Sequence, residues 1–125
     1  TFYNCVKDAR DEMIKAMKPG VTYSDLQKVG EQVYKKHGLE KYWFGYVGHF
    51  VGMAVHDVGS RDKPFVEGVV FNVEPILEDK DKKIHIRLED TIVITATGSE
   101  NLTPGSPVDP RAIYALMKEK GVGEK

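Results

Sequence analysis

Apolar residues recur at spacings of three and four over the first stretch of the chain: Phe2, Cys5, Val6, Ala9, Met13, Ala16 and Met17. That spacing puts one stripe on a helix, and Lys18-Pro19-Gly20 closes it, so the pattern predicts a first helix over residues 2–17. Thr22 followed by Asp25 is a variant of the capping box. Leu26, Val29 and Val33 then continue at helical spacing until His37-Gly38 supplies a stop. The second helix is expected over about 23–37. From Trp43 onward the texture changes to glycine-punctuated aromatic and β-branched residues, which is strand and loop chemistry. Extended segments are expected at roughly 46–55, 69–77 and 84–96, with the charged stretch 78–83 as a solvated hairpin turn. Residues 98–110, rich in Gly, Pro and Ser, read as loop, and 110–120 as a short closing helix.

With 125 residues, 41% apolar, 30% charged and a formal net charge of -1, the chain has room for one domain and one core. Its 18 basic and 19 acidic residues are interspersed, without a basic stripe for nucleic acid. Its single cysteine, Cys5, cannot form an intrachain disulfide, and no apolar run approaches the roughly 20 residues of a membrane span. A reducing, cytoplasmic setting is the expectation. Asn101-Leu102-Thr103 matches the glycosylation sequon, but Pro104 follows it and no signal peptide precedes it, so it is read as unused. The start at Thr1, inside a helical pattern and without methionine, points to a fragment or a trimmed chain.

Several polar residues stand where a bland surface does not account for them. On the third strand, Ile84, Ile86, Leu88, Ile92 and Ile94 share one face by two-residue alternation, while His85, Arg87, Glu89 and Thr91 share the other. Arg87 and Glu89 therefore point the same way; on this strand alone, a solvated face with a surface ion pair worth about 0–1 kcal/mol is the favoured reading, since exposure is the usual fate of Arg and Glu. Glu74 lies in Val69-Val70-Phe71-Asn72-Val73-Glu74-Pro75-Ile76-Leu77, an apolar run expected to be buried on both faces. A buried carboxylate needs a cation, an arginine or a metal beside it.

In Gly48-His49-Phe50-Val51-Gly52-Met53-Ala54-Val55-His56-Asp57-Val58-Gly59, two histidines lie seven residues apart. On one unbroken strand they would face opposite ways at a separation of about 23 Å. Either the strand bends or the two have different jobs. The glycines permit bends, and imidazole with carboxylates suits Zn, Mn, Fe or Co. His37 fits a helix C-terminus as a cation on the dipole. His85 is at most an outer neighbour of the Arg87 and Glu89 face. Asp8 and Asp11, flanked by Lys7, Arg10 and Lys15, read as a solvated helix face.

In order and spacing, GHFVGMAVHDVG at 48–59, NVEPIL at 72–77, IRLEDTIVIT at 86–95 and GSENLT at 98–103 resemble the signature of the pita-bread metallopeptidases. The HDVG ending is similar to the Xaa-Pro aminopeptidase and prolidase branch. The resemblance covers nearly the whole chain. It implies an α+β fold, half of a pita-bread (creatinase/aminopeptidase) fold, with two N-terminal helices packed on a curved, mainly antiparallel sheet. Residues 1–125 would be the C-terminal half of the catalytic domain.

By the same resemblance, His49, Glu74 and Glu89 are metal ligands. Glu89 bridges two divalent ions, and Glu74 also helps to move the proton. His56 contacts substrate and steadies the tetrahedral intermediate, and Arg87, two residues before the bridging glutamate, belongs to the catalytic group from outside the ligand set. The ions would be Mn, with Co or Zn as alternatives. The implied activity is hydrolysis of the bond between an N-terminal residue and a following proline. The alternatives are a non-catalytic pita-bread module that binds peptides or partner proteins, or a creatinase-like hydrolase acting on a small guanidino compound.

The chain departs from the pattern in two ways. Relatives often carry another active-site histidine four residues before the ligand histidine, where Gly45 stands here. The family's two aspartate ligands lie upstream, so the missing N-terminal half is an expected partner, beside a proline-containing peptide and a second copy in a homodimer. The isolated chain is expected to be inactive and to hold two metals poorly.

Overall fold

The computed structural model describes residues 1–119 and Gly121. Helix α1 (Phe2–Ala16) buries Cys5, Val6, Ala9, Arg10 and Met13, the predicted stripe with one arginine added. It ends at Met17, whose backbone is already extended ahead of Pro19. Helix α2 (Tyr23–Lys36) opens on the full reciprocal capping box: Asp25 N–H donates to the Thr22 hydroxyl, and the Asp25 carboxylate accepts from the Thr22 backbone. Tyr23, Leu26, Gly30, Val33 and Tyr34 form its buried face against α1. A 3-10 turn (Glu40–Tyr42), which no sequence pattern marked, leads into the sheet.

The strands are β1 (Gly48–Phe50), β2 (Val70–Val73), β3 (Ile76–Asp79), β4 (Ile84–Arg87), β5 (Asp90–Ile94) and β6 (Ser99–Asn101). All pairings are antiparallel, in a four-stranded sheet ordered β1-β2-β5-β6 and a separate β3-β4 ribbon. Four expectations need correction. The single sheet is two, because Pro75 has no N–H to donate and the ladder breaks at Glu74-Pro75 on one strand and at Leu88-Glu89 on its partner. The predicted strand 46–55 stops at Phe50, where the Asp57 N–H donates to the Phe50 carbonyl and the chain folds back. The predicted loop 98–110 begins with β6. Helix α3 (Pro110–Leu116), capped by Asp109, is shorter than the predicted 110–120, and Lys120 lies outside the described residues.

Phe71, Val73, Leu77, Ile92 and Ile94 meet Cys5, Val6, Ala9 and Met13 in one core. Through that core runs a buried ion pair, Arg10 Nε to Asp90 Oδ2. Asp90 also accepts from Asn101 Nδ2 (3.0 Å) and the Thr103 hydroxyl (2.8 Å), so the Asn101 amide is engaged inside the fold. Burial pushes the Asp90 carboxyl up, but the bonds from Arg10, Thr103 and Asn101 outweigh it and hold the group below its ordinary value.

Gly48 sits at φ +150°, and a Cβ there would fall 1.7 Å from the Asn72 carbonyl oxygen. Only glycine lets β1 lie this close to β2. Gly48→Ala is expected to destabilise the protein by more than about 1 kcal/mol, read as a lower midpoint of thermal unfolding. An unchanged midpoint would contradict this account of the β1–β2 contact.

Candidate metal centre

Strand register gathers the site. His49 on β1 lies opposite Asn72 on β2, and Asn72 lies opposite Thr91 on β5. Alternation then puts Glu74, two residues after Asn72, on the same face, and Glu89, two before Thr91, beside them. His49 Nε2 is 3.5 Å from Glu89 Oε1 and 3.8 Å from Glu74 Oε2. One donor atom from each of the three lies within 4.8 Å of the others. His49 and Glu74 are buried, and the Glu89 side chain is 34% exposed.

The neighbours set the orientation of each group. His49 Nδ1 lies 3.1 Å from the Phe50 carbonyl, which can only accept, so Nδ1 is the donor in that contact and Nε2 is the nitrogen that faces the carboxylates. Glu74 Oε2 accepts from the Tyr46 hydroxyl at 2.8 Å, and Oε1 meets Arg87 Nη1 at 2.8 Å. Burial, and then the bond to Glu74, push the Tyr46 hydroxyl up to about 12, so it stays a donor at neutral pH. The Glu74 backbone N–H donates to the Val47 carbonyl, and the Val47 N–H to the Tyr23 hydroxyl, which ties the site to α2. Because the chain reverses after Phe50, the His56 ring lies tilted on the His49 ring, with centroids 4.1 Å apart.

Of the sequence-predicted residues, His49, Glu74, Glu89, His56 and Arg87 come together. Arg87 reaches the site through Glu74. His85 turns away toward Glu78 at 3.9 Å, and His37 bridges to Asp8 at 2.9 Å, joining α2 to α1. Asp11 pairs with Lys7 and Arg10 at the surface. Sequence reasoning passed over two residues at the site. Asn72 is as polar as Glu74 within the same apolar run, a signal that was present. Tyr46 carried no comparable mark.

Two carboxylates and an imidazole whose Nε2 faces them are a donor set for a divalent cation of the Mn, Fe, Co or Zn kind. The profile of metallopeptidase family M24 matches residues 1–96. The chain belongs to metallopeptidase family M24. Its M24 relatives include an Xaa-Pro dipeptidase of Pyrococcus furiosus, 31% identical over an alignment of 106 residues, which covers 82% of this chain and 30% of that protein. An Xaa-Pro aminopeptidase of Haemophilus influenzae is 32% identical, covering 91% of this chain and 30% of the relative. The crystal structure of an X-Pro aminopeptidase from Thermotoga maritima superposes with a TM-score of 0.77 at 31% identity, over 86% of this chain and 31% of that one.

These M24 likenesses bear out the pita-bread fold and the Xaa-Pro branch indicated by the HDVG ending. Membership in a metallopeptidase family also implies divalent metal, and the convergent donors fit it. The chain spans about 30% of the length of the curated M24 relatives it matches. Among the described residues, no helix is long and apolar enough to cross a membrane.

Proposed function

We propose that this chain is the C-terminal half of the catalytic domain of a dinuclear metallopeptidase that cleaves between an N-terminal residue and a following proline. The observation that carries the reading is the convergence of donor atoms from His49, Glu74 and Glu89 within 4.8 Å in an M24 chain whose relatives include Xaa-Pro peptidases. His49, Glu74 and Glu89 would hold the ions, and an N-terminal half would supply the remaining ligands. The oxygen-rich donor set favours Mn, with Co and Zn as alternatives. A single free, buried cysteine agrees with a reducing compartment, and we assign the protein to the cytoplasm.

When bound, the ions supply a nucleophilic hydroxide at neutral pH and Lewis acidity toward the scissile carbonyl. The chain's own residues do the rest. Glu74, with its other contacts fixed by Tyr46 and Arg87, is placed to take the proton of the attacking water and pass it to the leaving amine. His56, outside the donor set but with its ring tilted against His49, donates to the oxyanion that forms on the substrate carbonyl.

The test is metal content and peptide cleavage by the full-length protein. It should hold two divalent ions and release the first residue from a peptide with proline second, leaving the same peptide with alanine second largely uncut. A protein that holds no metal and cuts neither would be the non-catalytic binding module instead.

A further inference from the structure

Glu74 is held from both sides, but among the described residues the hydrogen-bond donor to Glu89 is Asn72, whose Nδ2 lies 2.5 Å from Glu89 Oε1. The same Nδ2 is 3.5 Å from His49 Nε2, so one amide faces two of the three proposed ligands. Asn72 stands on the second strand of the sheet, between β1 and β5, and is 8% exposed. Its Oδ1 is buried without a hydrogen-bond partner among the described residues. A buried carbonyl without a donor is a cost to folding that an apolar side chain of similar shape would not carry. What the amide provides lies at the site: an N–H that selects one orientation for a carboxylate that is otherwise partly exposed and free to turn.

We propose that Asn72 is a positioning residue of the metal centre, which pre-orients Glu89 toward His49 through its Nδ2–H. This rests on the reading of His49, Glu74 and Glu89 as ligands. A carboxylate oxygen that accepts from Asn72 keeps lone pairs for a cation, so the contact survives metal binding and removes the need to order Glu89 at that moment.

The experiment compares Asn72→Val and Asn72→Thr in the full-length protein, two β-branched side chains of one shape that differ in a hydroxyl donor. Mn affinity is measured by calorimetry, thermal unfolding is followed after chelation, and kcat and KM are determined on an Xaa-Pro peptide. Asn72→Val is expected to bind Mn about 10- to 100-fold more weakly, the usual effect of losing an outer partner of a ligand. Its metal-free unfolding midpoint should stay unchanged or rise, and kcat should fall with little change in KM. Asn72→Thr should recover part of the affinity.

A merely structural Asn72 would instead lower the metal-free midpoint and leave Mn affinity alone. Wild-type affinity in Asn72→Val, or equal affinities in the Val and Thr variants, would overturn the proposal. If Asn72→Val does not fold, Asn72→Thr decides by itself: weakened Mn binding with an intact metal-free midpoint supports the role, and unaltered binding with a lowered midpoint overturns it. A wild-type protein that takes up no Mn would overturn the ligand assignment as well, so the two failures are told apart by the wild-type titration.

Discussion

His56→Ala in the full-length protein is expected to lower kcat roughly 100- to 1000-fold while leaving metal content and fold intact, whereas His49→Ala should lose metal. The two imidazoles lie with centroids 4.1 Å apart, yet only His49 belongs to the group of donors that close on one another. His56 is carried by a turn in which the Asp57 carboxylate accepts from the Ala54 and Val58 N–H groups, so its loss removes a ring and leaves the backbone in place. A single hydrogen bond to a developing oxyanion is worth that range of rate, because it strengthens only as charge appears. Metal stoichiometry beside turnover on an Xaa-Pro peptide measures both variants. Metal loss in His56→Ala with retention in His49→Ala would reverse the roles, and normal turnover in His56→Ala would return it to a structural part.

Arg10→Ala should cost about 3–5 kcal/mol of stability, because it leaves the Asp90 carboxylate buried at 1% exposure without its cation. The hydrogen bonds from Asn101 and Thr103 remain but do not supply a positive charge. Denaturant unfolding of the metal-free protein checks the loss, and a change under about 1 kcal/mol would show that the pair contributes no more than a surface bridge. The pH dependence has a defined sign. Asp90 is held below its ordinary value in the folded state, so its contribution is present above the unfolded pKa of about 3.9 and fades as pH falls through the folded value. Removing Arg10 raises the folded value and moves acid unfolding to higher pH. Asp90 directly follows Glu89, so the pair also anchors the strand end that presents the proposed bridging carboxylate.

Both helices were legible in the sequence because their determinants are local: a three-and-four stripe, a proline stop and a capping box each act within a few residues. The even-numbered apolar face from Ile84 to Ile94 was legible too. Alternation survives the break between β4 and β5, with Asp90, Ile92 and Ile94 still buried, so Glu89 kept its predicted side. The need of Glu74 for a partner followed from its burial in an apolar run. The likeness to M24 followed from the order of four motifs.

Which partners those residues took was decided only in three dimensions. Arg10 reads as one more charge on a solvated helix face until β5 brings Asp90 beneath it, 80 residues later in the chain. Tyr46 and Asn72 acquire their roles through contacts with Glu74 and Glu89 that no spacing announces. His49 and His56 could be placed either about 23 Å apart or side by side by the sequence pattern. The return of the Asp57 N–H to the Phe50 carbonyl settled it. Local periodicity determines which face a side chain occupies, because the backbone repeat is short-ranged. Pairing across strands depends on register and chain reversal, and these are fixed by packing between residues far apart in sequence.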